Sequence, residues 1–355
     1  LADAGWDVVR ADLPGTSRMD RAESRWGGGA GGAFGAISAG KRTIRLNNVN
    51  TLPEIAAAAD VVIGDFSSGG RTAAGLPDEV FPRLSPRLAT VSVSPHGLTG
   101  PRAESPAAEL TMQAASGLMF LTGEYDQPPM QLPPYQAELT GGVAAACAAV
   151  AAARLARHTG VRQQADVSIV EALSSHIYQA TAAYSYRGTV IRREARVKAG
   201  LRMVPASDGF VYCAAGALAT QRMDGLAKLI DEPRLNDERF ATAEGRMENY
   251  DELVALFVPP FRERTAKEWF EAAEALHLTF ALVQTVDDLF ECPQLSARGL
   301  LRDETAPDGR RIKVPGRPFI TTSTGPSPGD ERPASGVETV DTLDWLDDGA
   351  EEGAE

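Results

Sequence analysis

The stretch KRTIRLNNVNTLPEIAAAADVVIGDF, residues 41–66, contains two short runs rich in β-branched residues with an alanine-rich segment between them. The runs KRTIRLN and DVVIGDF have the composition of β-strands, and LPEIAAAAD has the composition of a helix. Strand, helix and strand in this order predict a βαβ unit, whose parallel sheet is covered by helices.

The same alternation continues on both sides of this stretch. Further runs with strand or helix patterns are WDVVRAD (6–12), RLATVSVSP (87–95), two helical segments at 107–122 and 139–158, and a strand followed by a long helix at 165–186. The segment 139–158 consists almost entirely of small residues, which is typical of a buried helix with close neighbours. The fold class predicted for residues 1–186 is therefore α/β, as one large domain with a parallel sheet.

The second half of the chain predicts a smaller domain and two extended segments. Residues 187–205 are basic, have little apolar periodicity and are predicted to be a linker. Residues 206–303 begin with the hairpin signal Asp208-Gly209 and continue with several helical patterns, which predicts a small α/β domain. Residues 304–324 are rich in proline and glycine and are predicted to be extended, and the acidic tail 325–355 is predicted to be disordered.

Charge and size limit the function classes. The 355 residues include 35 lysines and arginines against 48 aspartates and glutamates, a formal net charge of -13. This acidity argues against nucleic acid and against a membrane as partners. The most apolar run, residues 143–153, has about half the length of a membrane span.

Cysteine and glycine patterns exclude several kinds of site. Cys147, Cys213 and Cys292 are widely separated and form no CxxC motif, so neither a disulfide framework nor a zinc site is predicted, and a cytoplasmic location is expected. The glycine-rich residues 25–40 contain no GxGxxG between a strand and a helix, so they predict a mobile surface loop and not a dinucleotide site. No metal, nicotinamide or flavin is indicated.

A series of motifs in one order carries a family resemblance. The motifs are DVVRADLPG (7–15), GKRTIRLN (40–47), DVVIGDF (60–66), SVSPHGLTGP (92–101), QAASGLMFLTGEYDQPP (113–129), AELTGGVAAA (137–146), DVSIVEAL (166–173), SDGFVY (207–212), DERFATAEGRMENYDEL (237–253), DDLFECPQLSARGLL (287–301) and VPGRPF (314–319). Together they resemble the class III CoA-transferases, also called the carnitine dehydratase and bile-acid-inducible family, which includes formyl-CoA transferase and α-methylacyl-CoA racemase.

The resemblance implies an architecture and an assembly. It implies a Rossmann-like large domain built from both ends of the chain, so that residues 304–324 return to it, with the small α/β domain between. In this family two chains interlock as linked rings, which implies a homodimer, and a heteromer with a second family member is the alternative. By the same comparison, the sequence beginning at Leu1 is expected to lack the family's first strand and most of its first helix.

The resemblance also implies a catalytic residue, Glu138 in AELTGG, at the position of the family's aspartate nucleophile. It implies transfer of CoA from an acyl-CoA donor to a carboxylic acid acceptor through a mixed anhydride and a glutamyl-CoA thioester. At the start of a helix, Glu138 is expected to stay ionised because the helix dipole favours a negative charge there. The backbone amides of Gly141 and Gly142 are candidates to stabilise the oxyanion.

Coenzyme A, as a co-substrate, needs cations for its phosphates and an apolar contact for its adenine or pantetheine. By the resemblance, the candidate CoA-binding residues are Lys41, Arg42, Asp65, Phe66, Arg71 and Gly97. The family's Asn-Phe-Arg-Pro-Gly stretch is replaced here by Asp65-Phe66-Ser67-Ser68-Gly69, so Arg71 is the candidate substitute for the missing arginine and Asp65 would repel phosphate. Arg192, Arg193 and Arg202 are further candidates for binding an acidic substrate.

Three other interpretations remain open from the sequence. In the first, Glu138 merely caps its helix and the chain is a non-catalytic CoA-binding partner subunit of a heteromeric enzyme. In the second, the chain is an acyl-CoA racemase, but Ala108 stands where those enzymes place the histidine of their catalytic pair. In the third, it is a nucleotide-binding dehydrogenase, for which the glycine fingerprint is missing.

Overall fold

Strands and helices alternate along most of the chain. In a computed structural model, the described residues are 1–12, 37, 40–46, 51–74, 87–193, 203–213, 223–305, 311–320 and 337–338. The strands are β1 (Val9–Asp12), β2 (Arg42–Arg45), β3 (Val61–Gly64), β4 (Ala89–Ser94), β5 (Gln163–Ser168), β6 (Met203–Pro205), β7 (Phe210–Cys213), β8 (Phe280–Leu282), β9 (Leu301–Thr305), β10 (Arg311–Pro315) and β11 (Val337–Glu338).

The α-helices vary from one turn to more than six. They are α1 (Leu52–Ala57), α2 (Ser68–Ala74), α3 (Glu109–Ala115), α4 (Leu118–Leu121), α5 (Gln136–Thr159), α6 (Ile169–Ser174), α7 (Tyr178–Arg187), α8 (Met223–Leu229), α9 (Ala243–Glu248), α10 (Tyr250–Phe257), α11 (Ala266–Ala275), α12 (Val286–Glu291) and α13 (Pro293–Ala297). Short 3-10 helices occupy Ala2–Ala4, Ser175–Ile177, Pro233–Asn236, Glu238–Phe240 and Pro259–Glu263.

The chain divides into two compact units. Unit 1 comprises Leu1–Leu118, Leu132–Gln179 and Pro293–Glu355, and unit 2 comprises Met119–Gln131 and Ala180–Cys292. Unit 1 is therefore assembled from three separate parts of the sequence. Its last part includes the hairpin of β9 and β10 and the short strand β11.

Unit 1 contains two parallel sheets. The order in one is β1-β2-β11 and in the other β3-β4-β5, with Val61 opposite Ala89 and Ala89 opposite Gln163. This confirms the predicted α/β class with parallel strands. The two strands of residues 41–66 pair in different sheets, β2 with β1 and β11, and β3 with β4.

Helix α5 covers one face of the β3-β4-β5 sheet. Ala145 and Ala149 are buried against Val91, and the absence of larger side chains lets the helix approach β4 and β5 closely. The helix ends at Gly160, whose left-handed φ of 69° closes the last turn through a bond from its N–H to Ala156. Among the described residues, α5 is the one helix whose length and composition would also suit a membrane, and its buried alanines are those of a core helix.

Unit 2 has an antiparallel sheet and its own apolar core. Strands β6, β7 and β8 pair antiparallel, and the turn between β6 and β7 contains Asp208-Gly209, which confirms the predicted hairpin. The core contains an aromatic cluster in which Phe261 contacts Trp269 with ring centroids 4.7 Å apart. The Trp269 indole N–H donates to the Phe261 carbonyl at 2.8 Å, so this buried polar group is paired.

Several predicted boundaries differ from the structure. The expected linker 187–205 includes the end of α7 and strand β6, and the expected extended segment 304–324 includes the second strand of a hairpin. Within the tail predicted to be disordered, Val337–Glu338 pair in parallel with Thr43–Ile44 of β2. Most of the tail, residues 194–202, and all but two of residues 25–40 lie outside the described residues.

We expect Trp269→Phe to lower the free energy of unfolding by about 2–3 kcal/mol, because it leaves a cavity and an unpaired Phe261 carbonyl. Denaturant unfolding followed by circular dichroism measures this. Tyr186→Phe, at a side chain that is 88% exposed, is the control and should leave the midpoint unchanged. Equal midpoints for Trp269→Phe and the unmodified protein would contradict the assigned role of the indole.

Candidate active site

Glu138 lies in the first turn of α5, at the edge of the β3-β4-β5 sheet where the strands end. Because α5 finishes at Thr159, just before β5 begins at Gln163, its first turn lies near the other end of β5. Close packing of Gly141 against Ile169, the residue after β5, fixes this position. Glu138 is exposed at the surface. In open parallel sheets, ligands bind at this carboxyl edge.

A second carboxylate, Glu109 in the first turn of α3, faces the start of α5. Its Oε1 accepts a hydrogen bond from the Ala137 N–H at 2.9 Å, and its Oε2 accepts one from the Glu138 N–H at 3.4 Å. Glu109 therefore occupies the anion-binding position at the helix N-terminus. Glu138 was predicted to occupy this position, but its carboxyl group lies beside that of Glu109.

The two carboxyl groups titrate as a pair. Although Glu138 as a whole residue is exposed, protein atoms around its carboxyl group exclude part of the water and raise its pKa to about 7, and a hydrogen bond to Glu109 and the negative charge of Glu109 add to this. Burial also acts to raise the pKa of Glu109, but hydrogen bonds from Ala137, Gln113 and Glu138 outweigh it and lower that pKa below its ordinary value. The predicted stabilisation of the ionised form of Glu138 by the helix start is not seen, because Glu109 takes the helix amides and the pKa of Glu138 is raised.

Gly141 and Gly142 lie inside α5, beyond its first turn. An N–H at such a position donates to the carbonyl four residues earlier, which here means Ala137 and Glu138. This geometry does not favour the predicted role of these two amides in binding an oxyanion. Gly141 has a packing role, since a Cβ there would lie 2.7 Å from Cγ1 of Ile169.

Gly97 belongs to the turn that follows β4. Its φ of 84° is left-handed, and a Cβ at this residue would lie 3.4 Å from a carboxylate oxygen of Asp166. The same oxygen accepts a hydrogen bond from the Leu98 N–H at 2.9 Å, which fixes the turn against β5. Gly97 thus lies at the same edge of the sheet as Glu138.

Asp65, Phe66 and Ser67 follow β3 at this edge and form a local turn. Oδ1 of Asp65 accepts hydrogen bonds from the Ser67 N–H at 3.0 Å and from the Ser67 hydroxyl at 2.7 Å. The Ser67 hydroxyl in turn accepts from the Gly70 N–H at 3.1 Å. The Asp65 carboxylate therefore orders the entry into α2, in which Arg71 lies.

Lys41 and Arg42 lie in the other parallel sheet, at the amino end of β2. Arg42 forms an ion pair with Asp7. Burial lowers the pKa of Lys41, the charge of Arg10 lowers it further, and Asp3 partly offsets both. The ion pair of Arg42 therefore lies at the β1-β2-β11 sheet, whereas Glu138 lies at the edge of the β3-β4-β5 sheet.

Arg193, a candidate for binding an acidic substrate, is used within unit 2. Its guanidinium donates to the backbone carbonyls of Glu124 at 2.9 Å and Gln127 at 3.2 Å, as well as to Phe120. Arg192 lies over the Phe120 ring, and Arg202 is outside the described residues. Arg193 thus holds the segment that follows α4.

Sequence reasoning did not assign a role to Glu109 or Gln113. The Nε2 of Gln113 donates to Oε1 of Glu109 at 2.7 Å, across one turn of α3. The sequence pattern that could have indicated this contact is the i, i+4 spacing of an acid and an amide in a mostly apolar helix. Across the described residues, no group of three or more potential ligands could hold a metal ion.

Comparison with known proteins decides the family. The family model for CoA-transferase family III matches residues 1–339. The chain belongs to this family. At the level of the family it is thus a CoA-transferase, with CoA thioesters as co-substrates.

Relatives in family III support this assignment. The chain is 28% identical over 345 residues to the succinate–glutarate CoA-transferase of Agrobacterium fabrum, covering 91% of this chain and 84% of that protein. It is 27% identical over 274 residues to BbsE, a subunit of the succinyl-CoA:(R)-benzylsuccinate CoA-transferase of Thauera aromatica, covering 74% of this chain and 66% of that one. The crystal structure of a CAIB/BAIF family protein from Brucella suis matches with a TM-score of 0.77 and 25% identity, over 93% of this chain and 89% of that chain.

The two glycines of α5 give a matched pair of variants. Gly141→Ala places a methyl group against buried Ile169 and should lower the free energy of unfolding by about 1–3 kcal/mol. Gly142→Ala, where a Cβ meets nothing within 4 Å, should raise it by about 0.5–1 kcal/mol through helix propensity. Urea unfolding of both variants measures the difference, and a destabilised Gly142→Ala would contradict the packing described for α5.

Proposed function

We propose that this family III enzyme moves CoA from an acyl-CoA to a carboxylic acid, with Glu138 as the nucleophile. The observation that carries the proposal is the position of Glu138. It is an exposed carboxyl group in the first turn of α5, at the carboxyl edge of the parallel sheet, in contact with a second carboxylate. Its place in AELTGG, where the family has its aspartate, agrees with this position.

The chemistry proceeds by four acyl transfers. The Glu138 carboxylate attacks the thioester carbonyl and the C–S bond breaks, which gives a mixed anhydride and the CoA thiolate. The thiolate attacks the Glu138 carbonyl and releases the first acid as its carboxylate. The acceptor carboxylate then attacks the carbonyl of the glutamyl-CoA thioester and the C–S bond breaks, which gives a second mixed anhydride and the CoA thiolate. The thiolate attacks the acceptor's carbonyl in this anhydride, which gives the new acyl-CoA and frees the Glu138 carboxylate. No water or proton is consumed overall.

The pairing with Glu109 suits a nucleophile. A carboxylate bound to helix amides is stabilised as an anion and is correspondingly less reactive. Glu109 accepts the Ala137 N–H in place of Glu138, and burial together with the hydrogen bond and charge of Glu109 raises the pKa of Glu138 to about 7. A more basic carboxylate attacks a carbonyl more readily once it has lost its proton. Near neutral pH, a large fraction of Glu138 is both ionised and basic.

The CoA contacts are proposed at the same edge of the sheet. Phe66 after β3 and Gly97 after β4 lie where open parallel sheets bind ligands, and Arg71 in α2 is close in sequence to Phe66. Lys41 and Arg42 remain candidates for the phosphates, although both lie in the other sheet. Asp65 is engaged in its own turn, so its proposed part is to shape that turn.

A non-catalytic partner subunit is the second candidate function. Two observations favour it: the substitutions at Glu138, Asp65 and Ser67 relative to the family pattern, and the existence of a subunit among the relatives.

A homodimer of interlocked chains, a Rossmann-like large domain and a cytoplasmic location likewise remain predictions. The racemase interpretation is less favoured because Ala108 has no side chain that can move a proton.

Incubation with succinyl-CoA, the donor named for the Thauera relative, is expected to leave a CoA or acyl adduct on the peptide containing Glu138. Intact-mass and peptide mass spectrometry detect it. Glu138→Gln should form no adduct, and Glu138→Asp should form it about a hundredfold more slowly, because the carboxylate is withdrawn by roughly 1 Å. An unmodified protein that forms no adduct with a broad acyl-CoA panel would favour the partner-subunit function.

The rate of adduct formation is expected to rise with pH, with a midpoint near the Glu138 pKa of about 7. The sign follows because only the ionised carboxylate attacks, and ionisation increases as pH rises through the pKa. Glu109→Gln should move the midpoint to lower pH, since it removes the neighbouring charge. Rapid-quench measurement between pH 5 and 9 tests both, and a rate that is flat over that range would contradict the assignment.

A further inference from the structure

Gln113 is a buried polar side chain in the middle of α3. Only 1% of it is exposed, and both ends of its amide are hydrogen bonded. Its Nε2 donates to Oε1 of Glu109 at 2.7 Å, and its Oε1 accepts from the Leu132 N–H at 2.8 Å. The orientation of the amide is determined, because a backbone N–H can only donate and the Glu109 carboxylate can only accept.

These two contacts join the elements that present Glu138. Leu132 begins the segment that leads into α5, and this segment ends at Tyr135, whose φ of 66° is left-handed. A non-glycine residue in that conformation persists only where its surroundings hold it. Gln113 holds the start of the segment, while Glu109 holds the first amides of α5 at its end.

Gln113 is itself held in place. It belongs to α3, and the Ser116 hydroxyl donates to its backbone carbonyl at 2.8 Å. The neighbouring residue Met112 is buried with Ala137 and Ile169 in one apolar cluster, so α3 cannot shift without disturbing the start of α5. A buried amide that is hydrogen bonded at both ends fixes the geometry of its partners.

We propose that Gln113 is a positioning residue that orients the Glu109 and Glu138 carboxyl groups and directs their shared proton to Glu138. This rests on the proposed function of Glu138. By donating to Glu109, the amide favours the ionised form of that carboxylate. The proton of the pair then resides on Glu138 until the pH rises enough to remove it.

Other titratable side chains lie on the elements packed around the pair. They are Asp166 on β5, Glu171 on α6, His176 in the turn after α6 and Tyr135 directly before α5. Asp166 accepts the Leu98 N–H. None of the four contributes to the pKa shift of Glu109 or Glu138. The pH response of the pair therefore depends on Glu109, Glu138 and the groups that bond to them.

Two substitutions separate positioning from packing. Gln113→Met keeps the length and volume of the side chain but removes both polar contacts. The proton should then reside more often on Glu109, so the midpoint of Glu138 ionisation should fall. The adduct rate at high pH should also fall, by about tenfold, because the carboxyl pair loses its orientation.

Gln113→Glu keeps an oxygen that can accept from Leu132 but adds a third carboxyl group beside Glu109. Like charges disfavour ionisation, so the midpoint of Glu138 ionisation should rise by about one pH unit.

Two readouts are used on the full chain. One is the pH profile of the adduct rate with succinyl-CoA, and the other is a 13C NMR titration of labelled glutamate carboxyls, with Glu138→Gln identifying the Glu138 signal.

Opposite shifts of the midpoint in the two variants support the proposal. Unchanged midpoints in both variants, with thermal unfolding showing that both are folded, would overturn it and leave Gln113 as a packing residue. Failure of the proposed function has a different signature: no adduct forms, while the NMR titration of Glu138 still responds to Gln113. The two failures are thereby distinguished.

Discussion

The hydrogen bond from the Ala137 N–H to Glu109 is the contact on which the site depends. A helix N-terminus offers a few unpaired amides, and one carboxylate can use them. Two carboxylates approach the start of α5, and Glu109 takes this position. The other, Glu138, is left with a higher pKa and a free approach from solvent. One interaction therefore assigns different properties to two chemically identical side chains.

The parallel sheet provides the place for this interaction. In a parallel arrangement the strands end at one edge, and each helix that leads into a strand begins at that edge. Here the turns after β3 and β4, the end of β5 and the start of α5 meet at the edge of one sheet. The small residues of α5 serve this geometry, because Gly141 allows the helix to contact Ile169 directly. The packing of α5 on the sheet therefore forms the fold and also places Glu138 at the sheet edge.

Local sequence patterns predicted the parts of this structure that depend on local physics. Strand runs, the alanine-rich α5 and the Asp208-Gly209 hairpin depend on periodicity, composition and turn chemistry over a few residues. The raised pKa of Glu138 was not predicted, because it depends on burial and on Glu109, which is 29 residues away in sequence and approaches only after α3 packs on α5. The short strand β11 escaped prediction for the same reason, since its pairing partner β2 lies far away in the chain.

Glu138 has one methylene more than the aspartate that the family resemblance implies at this position, and this difference need not weaken the proposed chemistry. An added methylene harms a nucleophile in two ways, by moving the carboxylate about 1 Å and by adding a rotatable bond whose freedom must be lost on reaction. The contact with Glu109 opposes the second effect, because a carboxyl group that is hydrogen bonded to a fixed partner has fewer conformations left. Glu109 is in turn fixed by Gln113 and by the helix amides. In the proposed reaction, the length of the Glu138 side chain would set where the thioester carbonyl lies, and the restraint on the side chain would set how often the attack succeeds.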